Sequence, residues 1–157
     1  MTPALTPQRS YLETVLLPRF AQRFTADAVV LNVGAGVHAY RDYFQCPVRT
    51  ADRSAKAGCD AVFPAEAIPY PDASVDGVLF NGVFDRLDDP MQAMRELRRV
   101  LKPTGALLFG AAGLDFDWRV DRDRWRLSPG GFRHVLSAFR VLEEQRFDNV
   151  YQYAVVQ

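Results

Sequence analysis

A chain of 157 residues, 48% hydrophobic and 24% charged, is long enough to bury one sizeable core and too ordinary in composition for a disordered or fibrous protein. With Lys+Arg 19 against Asp+Glu 19 the formal charge is +0, which gives no electrostatic ground for nucleic acid or an anionic membrane as the main partner. Cys46 and Cys59, with His38 and His134, fit no zinc spacing, so no metal and two buried free thiols are expected. No segment approaches the roughly 18 apolar residues of a membrane span, and a cytoplasmic protein of one domain, residues 1–157, is the reading.

Tyr11, Leu12, Val15, Leu16, Phe20 and Phe24 recur at helical spacing, which predicts an amphipathic helix over about 9–24, kinked or split by Pro18. Ala28 to Val33 reads as a buried strand, Val37 to Phe44 as the start of a helix, and Val48 to Ala51 as a second strand, the order of a βαβ unit. Ala61 to Phe63 is a short third strand. Pro64, Pro69 and Pro71 then impose a loop before a fourth strand, Val75 to Phe80. Asp88 or Asp89 caps a helix with Pro90 at its first position, Met91, Met94, Leu97 and Leu101 as its buried stripe, and Pro103-Thr104-Gly105 at its end. Ala106 to Phe109 is a fifth strand, and Ser128-Pro129 opens a helix with Phe132, Val135, Leu136 and Phe139 on one face. Two closing strand-like runs are joined by Asp148-Asn149, a hairpin signal.

The first strand stops at Gly34-Ala35-Gly36, and Ala39 completes Gly-x-Gly-x-x-Ala, a spacing that lets backbone approach a nucleotide-like ligand. Asp52, at the end of the second strand, is placed to accept both hydroxyls of a ribose. These two features suit NAD and S-adenosylmethionine alike. The stretch from Ala65 to Phe109, "AEAIPYPDASVDGVLFNGVFDRLDDPMQAMRELRRVLKPTGALLF", separates them: it resembles the class I S-adenosylmethionine-dependent methyltransferases, most specifically in "RELRRVLKPTGALLF". The resemblance covers about 28–110 and implies a Rossmann-like α/β fold, mostly parallel, with a C-terminal antiparallel hairpin and helices on both faces. A segment of about 111–157 then forms the substrate-side loop, helix and hairpin. "DRDRWRLSPGGFRHVL" is more loosely similar to methyltransferase-like proteins of glycan biosynthesis.

By that resemblance Gly34, Ala35 and Gly36 pass under the methionine part of S-adenosylmethionine, Asp52 holds its ribose, Ala65 and Glu66 lie near its adenine, and Asn81 lies beside its sulfonium. Asn32 is a further candidate cofactor contact: it stands where the family has an acidic residue, and it can accept a hydrogen bond there but cannot neutralise the cofactor's ammonium. His38 stands where a third glycine is common, Pro64 where an adenine-contacting Asp is frequent, and Arg86 where the family has histidine. An acceptor hydroxyl needs a base, for which His38 and Asp85 are the candidates. Asp123, Trp125 and Arg126 form a candidate sugar platform. The expected reaction is methyl transfer to an oxygen or nitrogen of a small hydroxylated molecule or glycan. The departures leave open a methyltransferase-like protein without catalysis, acting as a partner or regulatory subunit. The short chain supplies no evident cap over the substrate side, which a homodimer or partner protein would complete.

Overall fold

The computed structural model describes residues 6–55, 59–114 and 124–157. Seven strands, β1 (Val30–Val33), β2 (Val48–Asp52), β3 (Ala61–Val62), β4 (Val75–Asn81), β5 (Leu101–Ala112), β6 (Val141–Phe147) and β7 (Tyr151–Val156), form one sheet in the order β3-β2-β1-β4-β5-β7-β6. The first five are parallel to one another, and β7 runs antiparallel to both β5 and β6. The switch point of the parallel half lies between β1 and β4, so a crevice opens where the chain leaves the two strands in opposite directions.

The sheet is covered on both faces. On one side Leu31, Val33, Val78, Phe80, Leu107 and Phe109 pack against α3 (Pro90–Val100) and α4 (Pro129–Val135). On the other, Val30, Leu79, Leu108 and Val155 pack against the N-terminal helix, whose Leu12, Leu16, Leu17 and Phe20 are almost wholly buried. That helix is one body of three registers: α1 (Pro7–Tyr11), a π segment Leu12–Leu16, and α2 (Leu17–Ala21). It is shorter at its end than the expected 9–24. Pro18 has no N–H, and its ring would crowd the carbonyl one turn back. The wider π turn before it takes up the misfit, so the helix neither splits nor stops.

Three local expectations are corrected. Val37 to Phe44 holds no α-helix, only a 3-10 turn at Arg41–Tyr43 entered through Tyr40 in the left-handed region at φ 55°. In α3, Met91 is 41% exposed, while Pro90, Ala93, Met94, Leu97 and Val100 form the buried stripe; Leu101 already belongs to β5, and so does the Pro103-Thr104-Gly105 segment. Cys46 is buried as expected, but Cys59 is only half-buried. The cap of α3 is Asp89, whose Oδ1 accepts the Gln92 N–H at 2.9 Å. Arg99 ties α3 to the proline-rich loop by donating to the carbonyls of Ile68 and Tyr70 and to the Asp72 carboxylate.

Candidate active site

The loop after β1 is folded back on β2 by its own backbone. The N–H groups of Gly34 and Ala35 both donate to the Ala51 carbonyl, at 2.8 and 3.0 Å. Gly34 sits at φ 72°, and a Cβ there would lie 2.3 Å from Cγ2 of Val83, so conformation and packing both demand glycine. From the sequence, a ligand lying on the main chain is the expected reason for this glycine. In the folded chain the neighbour is Val83, two residues past the end of the adjacent parallel strand β4. Gly36, also at positive φ, donates its N–H to Oδ2 of Asp52 at 3.1 Å. Oδ1 of Asp52 accepts from the Ser54 N–H and hydroxyl, both at 3.1 Å. Asp52 is thus held in one orientation at the mouth of the crevice, 6% exposed.

Around this loop lies a cleft of about 1030 Å³. Its lining includes Asn32, Gly34, Ala35, Gly36, Asp52, Ala65, Glu66, Asn81 and Val83, drawn from the C-terminal ends of β1, β2 and β4 and from the loops that follow β1, β3 and β4. One wall carries Tyr40, Tyr151 and Tyr153. Burial pushes the pKa of all three phenols up, so they are neutral hydrogen-bonding groups. Tyr151 donates to Oδ1 of Asn81 at 3.0 Å, and Tyr153 to the carbonyl of Gln8 at 3.2 Å. Thr6, Gln8, Arg9 and Leu12, at the start of the N-terminal helix, also line the cleft.

His38 lines the same cleft, stacked on Tyr40 with 5.8 Å between ring centres. Its Nδ1 lies 3.3 Å from Nη2 of Arg9, whose Nε donates to Glu13 at 2.8 Å. A guanidinium only donates, so Nδ1 is the acceptor and the ring proton is on Nε2. Burial first, and the Arg9 charge second, lower the pKa of His38 and keep it neutral at pH 7.

Residues 31–109, half of the chain, match the methyltransferase-domain family. The chain belongs to that family. It is a class I S-adenosylmethionine-dependent methyltransferase in fold and sequence, and S-adenosylmethionine is the family's cofactor. It is similar over 49 residues, at 45% identity, to a malonyl-[acyl-carrier protein] O-methyltransferase of Coxiella burnetii; the match spans 31% of this chain and 17% of that protein. Among solved structures, a Pyrococcus horikoshii protein is 20% identical with a TM-score of 0.73, covering 98% of this chain and 92% of that one. The 1,6-didemethyltoxoflavin-N1-methyltransferase of Burkholderia thailandensis, solved with bound 1,6-didemethyltoxoflavin and S-adenosylhomocysteine, is 18% identical with a TM-score of 0.68, over 95% of this chain and 80% of that one.

Within this methyltransferase the remaining sequence candidates fall outside the cleft or serve its frame. Oε1 of Glu66 accepts the N–H groups of Asp88 and Asp89, at 3.0 and 3.4 Å, tying the loop after β3 to the start of α3. Asp85 lies in a 3-10 turn, Phe84–Arg86, behind the cleft. It is 4% exposed, its Oδ2 is 3.5 Å from Nε of Arg86, and Oδ1 has no hydrogen-bond partner among the described residues. Its carbonyl accepts from the N–H groups of Arg124 and Trp125. Trp125 also donates its ring N–H to the Leu87 carbonyl at 2.9 Å, so the indole is pinned to that turn with 40% of its surface exposed. Arg126 is half-buried beside it and does not line the cleft, and Asp123 lies outside the described residues. His134, in α4, is exposed.

The sequence reading missed Arg9, Leu12, Tyr40, Tyr151 and Tyr153. The one available signal was "YQY" in the last strand, where a period of two puts Tyr151 and Tyr153 on one face.

Proposed function

We propose that this chain transfers the methyl group of S-adenosylmethionine to an oxygen or nitrogen of a small hydroxylated molecule or glycan. The observation that carries the reading is the convergence of the glycine loop and the oriented Asp52 carboxylate on one cleft of about 1030 Å³ that also has an aromatic wall. The residues present fit the cofactor. Two positive-φ residues keep the loop main chain low against the cleft, and a buried carboxylate faces it beside Ala65 and Asn81. When bound, the cofactor supplies an electrophilic methyl group on a sulfonium.

The chain's own residues divide the remaining tasks. Gly34, Ala35 and Gly36 carry the methionine portion; Asp52 accepts from the ribose hydroxyls in charge-assisted hydrogen bonds. Asn81, held by Tyr151, sets the polar end of β4, and Tyr40, Tyr151 and Tyr153 with Leu12 exclude water from the acceptor side. Most of the acceleration comes from holding the acceptor in line with the methyl group. For an acceptor hydroxyl, His38 takes the proton. It is neutral at pH 7, and Nδ1 becomes available when the 3.3 Å contact with Arg9 opens. Asp85 supports the turn behind Val83.

Titration with S-adenosylhomocysteine, followed by calorimetry and thermal denaturation, tests this reading. At 100 times the dissociation constant, about 2.7 kcal/mol of stabilisation is expected, and it is removed in Asp52→Ala. Absence of binding up to millimolar ligand overturns the cofactor reading. Binding followed by no transfer to any hydroxylated or amine acceptor overturns the catalytic one.

A further inference from the structure

Asn32 stands at the third position of β1, just ahead of the glycine loop, and its hydrogen bonds point away from ligand binding. It is 3% exposed. Its Nδ2 donates to the His38 carbonyl at 2.8 Å and lies 3.4 Å from the Ala39 carbonyl. Both partners only accept, so the amide nitrogen has to face them and Oδ1 is turned the other way. In a helix following the loop, each of those carbonyls would receive a backbone N–H from four residues on. This chain has only the 3-10 turn Arg41–Tyr43, and among the described residues no backbone N–H donates to either oxygen. The two half-buried carbonyls therefore take their donor from Asn32.

We infer that Asn32 is a positioning residue: it replaces the donors of the missing helix and holds the 34–39 loop in place along the cleft, so that a carboxylate at this position works against cofactor binding. The inference rests on the cofactor reading above. In the family's usual arrangement an acid at this position adds a partner for the ammonium of the cofactor. Here its oxygen would face two carbonyl oxygens with no proton between them, and the loop would be pushed off its seat. A protonated carboxyl carries one O–H and restores the bond to His38. The two roles therefore predict opposite effects for the same isosteric change, and opposite responses to acid.

Wild type, Asn32→Asp and Asn32→Ala are compared at about pH 8 and about pH 5, bracketing the titration of a buried carboxyl. Hydrogen exchange of the amides of residues 34–40 is measured without ligand, and the affinity for S-adenosylhomocysteine by calorimetry. At the higher pH, Asn32→Asp is expected to exchange faster in this loop and to bind about five-fold or more weakly than wild type. Both deficits shrink at the lower pH. Asn32→Ala shows them at both pH values. Binding by Asn32→Asp as tight as wild type or tighter at about pH 8 overturns the inference, and so does a deficit that acid does not relieve or an Asn32→Ala loop that exchanges as wild type does. If wild type binds no S-adenosylhomocysteine while the exchange pattern holds, the cofactor reading falls and the positioning role stands.

Discussion

Gly34 shows how a motif residue can be right for a reason that lies elsewhere in the chain. The spacing Gly-x-Gly was legible because it is local, and so was Asp52, since a carboxylate ending the second parallel strand faces the crevice by topology alone. What holds Gly34 to glycine is Val83, close in space only after β1 and β4 have paired. Gly34→Ala is expected to destabilise the fold by about 1–3 kcal/mol in urea denaturation, because positive φ and a 2.3 Å approach act together. His38 was legible as a candidate and its partner was not. Its pKa is lowered in the folded state, so the unfolded chain takes up the proton first. Stability is full above the ordinary value of 6.5 and is lost as pH falls from there through the lowered value. In His38→Gln this component of the acid dependence disappears, which melting temperatures between about pH 5 and pH 8 will show.

At the scale of elements, helix α3 was read well because its signals lie within it: a capping Asp, Pro at the first turn, and basic residues at the end. Asp89→Ala removes the side-chain acceptor of the Gln92 N–H and is expected to cost about 1 kcal/mol, measured by chemical denaturation. The expected buried stripe was off by one residue at both ends, with Pro90 in place of Met91 and Val100 in place of Leu101. Met91 faces solvent, since Pro90 and Ala93 already fill that side, and Leu101 is taken into β5 by pairing with Val75. The segment Val37 to Phe44 failed as a helix for a different reason. The 14 residues between β1 and β2 are spent on a loop that bonds back to Ala51 and on a left-handed Tyr40, which leaves room for a single 3-10 turn.

For the whole molecule, two cores divided by the sheet set stability and leave the crevice at the strand ends free for function. Phe109 is at the centre of one core, in ring contact with Phe80, Phe84 and Phe132 at centroid distances of 6.1, 5.7 and 5.2 Å. Phe109→Ala is expected to lose about 3–5 kcal/mol in urea denaturation, and the folded protein should keep its affinity for S-adenosylhomocysteine, because Phe109 does not line the cleft. A fall in affinity without a fall in stability would contradict this division. By itself the sequence determined the strand sequence, the closing hairpin, the glycine loop, the place of Asp52 at the end of the second strand and the start of α3 at Asp88 or Asp89, all carried by periods and spacings within a few residues. Tertiary structure alone decided that Arg9 meets His38, that Tyr153 reaches Gln8 across 145 residues of chain, and that Asn32 serves a loop in place of a helix. Those contacts depend on which faces of distant elements come together when the cores close, and no local pattern encodes a meeting of two side chains that burial elsewhere brings about.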